Sequence, residues 1–439
     1  MQFGWLLAGA MALGCGGSPA MRAAERGDWA ALRTEIAALH RVGKLTNADA
    51  NDLARAVAKR EIFASPPKQA VARVGDVAGC ARELDGVLGS RMDVRDDAGA
   101  EAAWLRLDAG ELGAGRARSF DSEKSDAWRA VGVRGLVRKK DAEARIAAMA
   151  DGSPQVRRAA MRASTEAALS EEDATDAELE QLASSARVDP QGIVRSEAVR
   201  ALAAIGGEKA VAKLRDLWTN GDDGVREEIA VAWSAPRVYE RGGAEPLRLL
   251  VAAEHGPGAI EAAAAAARRK EIDPPIRASS LALVARAITS GSRRDRLHAM
   301  ALGPITEPDV LDAFRKAAKA AEGDDPEMAI SANARLLGSS PDRAAATKAL
   351  EARAGENLGL LSARARSALA AAGDLRVQAW VERDLQAPEP SVRLSAAAAL
   401  GALGRSARGA PLLADADPDV RTRAACTLLM ASRIKSSIR

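Results

Sequence analysis

Apolar side chains in this chain recur in steps of four, and the blocks they form end at glycine. Val194, Ala198 and Leu202 make one such set, Val392, Ala396 and Leu400 a second, and Val420, Ala424 and Leu428 a third. Steps of four keep side chains on one face of a helix, so each block predicts a helix with one apolar stripe. The residues ahead of a stripe fit a helix start. Asp417 can accept hydrogen bonds from the first free backbone amides, and Pro418 suits a first turn, where a missing N–H costs nothing. Behind the stripe stands a glycine, as in "AIGGEK" or "ALGR", where a left-handed residue can end the helix. A second, shorter apolar helix then follows, for example through Val211, Leu214 and Trp218.

These blocks are copies of one another. The clearest are "DPQGIVRSEAVRALAAIGGEKAVAKLRDLW" from Asp189, "EPSVRLSAAAALGALGRSARGAPLLAD" from Glu389 and "DPDVRTRAACTLL" from Asp417. Weaker copies begin at "GSPQVRRAAMRAS", "GDDGVREEIAVAW" and "DPPIRASSLALVA". From Val194 to Val225, and from Val392 to Val420, the period is about thirty residues, or two helices. The pattern resembles a HEAT repeat of the short variety named after phycocyanobilin lyases, whose consensus runs close to "DPDVR..AA.AL..LG". The resemblance is clear over residues 189–218 and 389–433, intermediate over 151–388 and weak before 150. It implies an all-α, right-handed superhelical solenoid of stacked HEAT-like helix pairs, and almost nothing about activity.

The N-terminal third is also helical in pattern. "GDWAALRTEIAALHRVG" and "LTNADANDLARAVAKREI" read as an antiparallel pair capped by Asp28 and Thr46, and "SPPKQAVARVGDVAGCAREL" begins another helix after its proline pair. Between Asp108 and Asp126, "DAGELGAGRARSFDSEKSD" interrupts the pattern. The expected organisation is therefore N-terminal helical repeats over 21–107, a loop or boundary over 108–126 and a solenoid over 127–439.

Composition supports the array. Hydrophobic residues are 47% of the chain but aromatics only 3%, so small alanine and leucine side chains supply most of the apolar surface. Sixty-three basic against sixty acidic residues leave a formal charge of +3, with the signs interspersed. That balance argues against a nucleic-acid-binding stripe.

The first residues set the expected compartment. Residues 1–14 carry no charged side chain, and the apolar run from Phe3 to Leu13 falls short of the ~20 residues that span a bilayer. "ALGC", residues 12–15, resembles the lipobox of bacterial lipoproteins, although Ala12 and Leu13 reverse the usual order and no Lys or Arg precedes the run. That resemblance implies a signal peptide over 1–14, a diacylated Cys15 at the mature N-terminus and a short tether over 15–20. With Gly16 after the cysteine, it implies an outer-membrane lipoprotein facing the periplasm. Two other readings stay open: ordinary signal-peptidase cleavage after Ala20 in "SPA", giving a secreted protein, or a first helix of a cytosolic fold. Glycines at 4, 9, 14, 16 and 17 argue against a packed helix. Cys80 and Cys426 would fall near opposite ends of a stacked array, too far apart to bridge, and read as small core residues.

Chemistry is sparse. His40, His255 and His298 are too scattered for a metal site, and no CxxC, HExxH, GxSxG, P-loop or dinucleotide fingerprint appears in a suitable context. Neither a cofactor nor a small-molecule substrate is expected. The recurring Arg157, Arg195, Arg226, Arg277, Arg393 and Arg421 read as bonds to acidic helix caps that fix repeat register, ahead of a ligand-binding role. Trp104, Trp128, Trp218, Trp233 and Trp380 read as core ahead of interface anchors. In HEAT solenoids the second helices line the concave surface. There Lys209, Lys213 and Arg215, then Arg315, Lys316 and Lys319, then Arg376, would form a basic groove for a partner. The function expected is a non-enzymatic, membrane-tethered scaffold holding a protein partner in the bacterial envelope. A cytosolic chain would instead suit a phycobilin-lyase-like enzyme or a nucleic-acid-binding HEAT scaffold.

Overall fold

The computed structural model describes residues 17–436, apart from 65, 171–173, 304–305, 322 and 358. Among the described residues all regular structure is helical. The chain opens with α1 (Pro19–Arg26), α2 (Trp29–Arg41), α3 (Asn47–Ile62), α4 (Pro67–Gly75) and α5 (Cys80–Glu83). It continues through α6 (Asp85–Met92), α7 (Asp97–Asp108), α8 (Ala114–Arg118), α9 (Asp126–Arg134), α10 (Ala142–Met149), α11 (Pro154–Leu169) and α12 (Asp176–Val188). Next come α13 (Gly192–Ile205), α14 (Gly207–Asn220), α15 (Asp223–Ala232), α16 (Pro236–Val238), α17 (Ala244–Ala253), α18 (Ala259–Ala267) and α19 (Pro274–Ser290). The rest are α20 (Arg293–Leu302), α21 (Pro308–Ala320), α22 (Pro326–Leu336), α23 (Arg343–Gly355), α24 (Leu360–Ala371), α25 (Gln378–Asp384), α26 (Pro390–Ala402), α27 (Ser406–Gly409) and α28 (Pro418–Ser436).

Two compact units result. One runs from Leu84 to Val381; the other joins the residues up to Glu83 with those from Glu382 on. The longer unit is a solenoid of two helix rows. In the first, α9, α11, α13 and α15 stack in order; in the second, α10, α12 and α14 do the same, and α17, α19 and α21 continue it. The stripe Val194, Ala198 and Leu202 is fully buried in this stack. Gly206 ends α13 at φ +62, and a Cβ there would lie 2.3 Å from the Cβ of Arg237, so glycine is required twice over. The alanine-rich α18 then shifts the pattern. The next helix to open with a proline and an Ile-Arg pair, α19, packs beside α17 and α21 in the second row.

Residues 108–126, expected as a loop or boundary, hold α8 and are packed. Leu112, Ala117 and Phe120 share a core cluster with Met92, Ala100, Ala103, Trp128 and Val131, and the Phe120 and Trp128 rings meet edge-on at 4.8 Å. The divisions of the chain lie instead beside Glu83 and Val381.

In the other unit α2 and α3 are the predicted pair. Asp28 accepts from the Ala31 amide, and Thr46 and Asp49 form a reciprocal capping box. The helix expected after the proline pair is broken between Gly75 and Cys80, where Gly79 takes φ +83 and a Cβ would meet Met430 at 2.6 Å. Both α3 and α4 pack on α28, whose Val420, Ala424 and Leu428 are buried. This overturns the expectation for the cysteines. Cys80 and Cys426 form a disulfide across 346 residues of sequence, because the N-terminal helices stack directly on α28 rather than at the far end of a continuous array. Both are fully buried, as core residues would be.

The first described helix begins at Pro19, inside the expected tether, with Ser18 capping it and Ala20 buried. The signal peptide over 1–14, Cys15 and Gly16 lie outside the described residues.

Candidate partner-binding surface

The recurring arginines are consumed by the fold. Each is the fourth residue of its helix, so its side chain reaches back over the helix start. Arg157 grips Asp189, just ahead of the next first-row helix, through two bonds of 2.6 and 3.0 Å, and donates to the Asp151 carbonyl. Arg195 repeats the arrangement with Asp222 at 3.0 Å and the Asp189 carbonyl at 2.8 Å. Arg277 reaches Glu307, and Arg393 reaches Asp415. Burial pushes the Asp189 carboxyl up, but the Arg157 guanidinium and the Gln191 amide more than offset it and hold it below the usual carboxylate range. At Arg226 the forward partner is lost. That side chain pairs with Asp223 on its own helix and with the Trp218 carbonyl, just before α18 shifts the rows.

Arg421 closes the series differently. Its forward partner is Glu61 on α3, at 2.7 Å with both side chains buried, while it donates back to the Asp415 carbonyl as its counterparts do. Trp29 lies under the same guanidinium at 4.4 Å. A helix from the beginning of the sequence thus accepts the bond that a following repeat would accept.

Four of the candidate tryptophans are engaged within the fold, while Trp380 is half-buried. Trp128 and Trp233 are buried, Trp218 meets Trp233 edge-on, and Trp104 lies beneath the guanidiniums of Arg134, Arg158 and Arg162. The histidines serve locally: His40 bonds the Ala407 carbonyl, His255 the Ala253 carbonyl and His298 the Glu261 carboxylate. Among the described residues no group of three His, Cys, Asp or Glu could hold a metal ion, and no helix is long and apolar enough to cross a membrane.

The expected basic groove is distributed over three depressions. Lys209 lies in an opening of about 680 Å³ whose rim also carries Asp176, Glu208 and Glu240; Arg315 and Lys319 line a second, of about 520 Å³; Arg376 lines a third. Most of the cations are engaged. Lys209 binds Asp176 at 2.7 Å, Lys213 binds Glu180, and Arg215 donates to the Gly242 carbonyl. Arg315 binds Asp342, Lys316 binds Asp312, and Arg376 binds Asp374 and Glu351. Lys319 is exposed and has no carboxylate partner among the described residues. The missed signal was a charge of opposite sign one repeat away. Lys209 and Asp176, like Lys213 and Glu180, are 33 residues apart, and Arg157 and Asp189 are 32 apart.

Residues 121–234 match the family of HEAT repeats. That segment spans α9 to α15, the first-row stack and the second-row helices between its members. An engineered protein of known crystal structure aligns over 82% of this chain and 96% of its own, at 20% identity and a TM-score of 0.27. Kap121p bound to Pho4p aligns over 79% of this chain and 40% of its own, at 14% identity and a TM-score of 0.28. This chain therefore spans well under half the length of that karyopherin. No curated protein matches the sequence.

Proposed function

We propose that this HEAT chain is a non-enzymatic scaffold that holds a protein partner in a bacterial envelope, tethered to the outer membrane through an acylated Cys15. The stacked helix rows between Leu84 and Val381 carry the reading, because such stacking creates extended surface suited to macromolecules. Two features support the compartment. The lipobox-like "ALGC" ends at Cys15, and the buried Cys80–Cys426 disulfide suits an oxidising environment.

Mass spectrometry of the mature protein tests the tether: a chain beginning at acylated Cys15 is expected, and a full-length cytoplasmic chain overturns it. Crosslinking the tagged full chain in intact cells tests the scaffold. A reproducible protein adduct retained after stringent washing is expected; adducts no richer than those of an untagged control overturn it.

A further inference from the structure

The unit that joins the two ends of the chain gathers unpaired positive charge at one of its edges. Helix α1 packs on α2 and α3, antiparallel to the first and parallel to the second. A Cβ on Gly27, at the end of α1, would lie 2.8 Å from Nε of Arg60 in the last turn of α3, and there α2 begins. The opposite edge is the turn from α2 into α3. Val42 is 62% exposed there, Gly43 takes φ +63, and Arg41 and Lys44 are exposed on either side. The 404–407 stretch holds this turn in place: His40 bonds the Ala407 carbonyl at 2.9 Å, and Asn47 donates to the Gly404 carbonyl and accepts from the Ala407 amide. That stretch adds the exposed Arg405. Arg41, Lys44 and Arg405 have no carboxylate partner among the described residues, and the rest of this unit, residues 1–16, 65 and 437–439, contains no Asp or Glu. Asp49, the acidic residue nearest the turn in sequence, is spent on the Thr46 cap.

We propose that this edge rests on an anionic phospholipid surface, with Val42 in the headgroup layer, Arg41, Lys44 and Arg405 against lipid phosphates, and the acyl chains of Cys15 inserted beside them. The proposal rests on the tether reading and gives the tethered chain an orientation. Length carries it. Helix α3 has 16 residues and α1 has 8, about 24 and 12 Å, so the turn stands about 12 Å beyond the start of α1. Cys15 precedes Pro19 by four residues, a reach of about 14 Å at most. Anchor and turn can therefore meet one plane. Cations held near an anionic surface add to the attachment that acyl chains begin, and a fixed turn presents them together. The side of α1 suits that surface less well, because Glu25 stands among its exposed Arg22 and Arg26.

The test uses the mature, acylated chain in phospholipid vesicles. With Cys80 and Cys426 joined and Cys15 acylated, Val42→Cys supplies one free thiol for a fluorophore; Lys59→Cys, in the last turn of α3, and Glu25→Cys, on the side of α1, do the same elsewhere. In phosphatidylglycerol vesicles, spin-labelled lipid should quench the label at 42 about threefold more than the label at 59, and phosphatidylcholine should narrow the gap. Arg41→Glu, Lys44→Glu and Arg405→Glu together should abolish it. Equal quenching at 42 and 59, stronger quenching at 25 than at 42, or a gap as wide on phosphatidylcholine or after the charge reversals overturns the proposal and leaves the tether standing. A mature chain that carries no acyl group removes both.

Discussion

The two units use one repeat pattern and hold it together in opposite ways. From Leu84 to Val381 most ion pairs join helices about one repeat apart, as Arg145 and Glu178, 33 residues apart, or Arg293 and Asp325, 32 apart. In the other unit the bonds span nearly the whole chain. Arg33 donates to the Ala414 carbonyl, Asn47 bridges Gly404 and Ala407, Arg73 binds Asp419, and Cys80 is joined to Cys426. Neighbour-only packing lets stability spread over many small terms. Pairing of distant segments concentrates it, because each long closure costs chain entropy before any contact forms.

Removing the disulfide should show the contrast most strongly. Cys80→Ala with Cys426→Ala, which opens a loop of 346 residues, should cost about 6 kcal/mol on the chain-entropy account. Hydrogen exchange should find α3 and α28 amides deprotected and α11 and α13 amides unchanged. Uniform loss would mean that the two units do not unfold separately.

The next effect comes from the buried pairs. Glu61→Ala strands Arg421 and Glu178→Ala strands Arg145, each expected to cost about 3–5 kcal/mol. Urea unfolding followed by exchange should place the first loss in α3 and α28 and the second in α10 and α12. A shared pattern would erase the distinction.

Acid should act more gently and on both units. Arg423 holds the Asp76 carboxyl below its ordinary 3.8, Arg293 does the same for Asp325, and Arg293 with Arg364 lowers Glu327 from its ordinary 4.5. Because their folded values are depressed, the stability they add is complete above those ordinary values and drains away as pH falls through the folded ones. Urea midpoints at about pH 3 should therefore lie below those at about pH 6, more so for α20, α22 and α24 than for the disulfide-held helices. The smallest change is expected from Lys209→Ala, whose pair with Asp176 is exposed on both sides. A stability change above about 0.5 kcal/mol would show that the repeat-spaced surface pairs matter more than their exposure implies.

The repeat was plainly legible in the residues. The stripes through Val194, Val392 and Val420 are buried, the caps at Asp28 and Thr46 form, and the recurring arginines bond acidic residues near helix starts. These depend on residues within a turn or a repeat of each other. The Cys80–Cys426 bond does not, since no local periodicity records which distant helix α28 will meet. The row shift at α18 was hidden for a related reason. A run of alanines fits either row, and only packing decides between them. At the candidate surface the cations are visible in the residues, but Asp176, Glu180 and Asp342, which neutralise them, stand about a repeat away and outside any local pattern.

The bond from Arg421 to Glu61 has a consequence for synthesis. The ribosome finishes α3 roughly 350 residues before α28 begins, and at ~5–20 residues per second that is a delay of tens of seconds. Until then α3, whose Leu53, Val57 and Ile62 are buried in the finished fold, has no α28 to pack against. Helix α3 must be kept from wrong associations until α28 emerges.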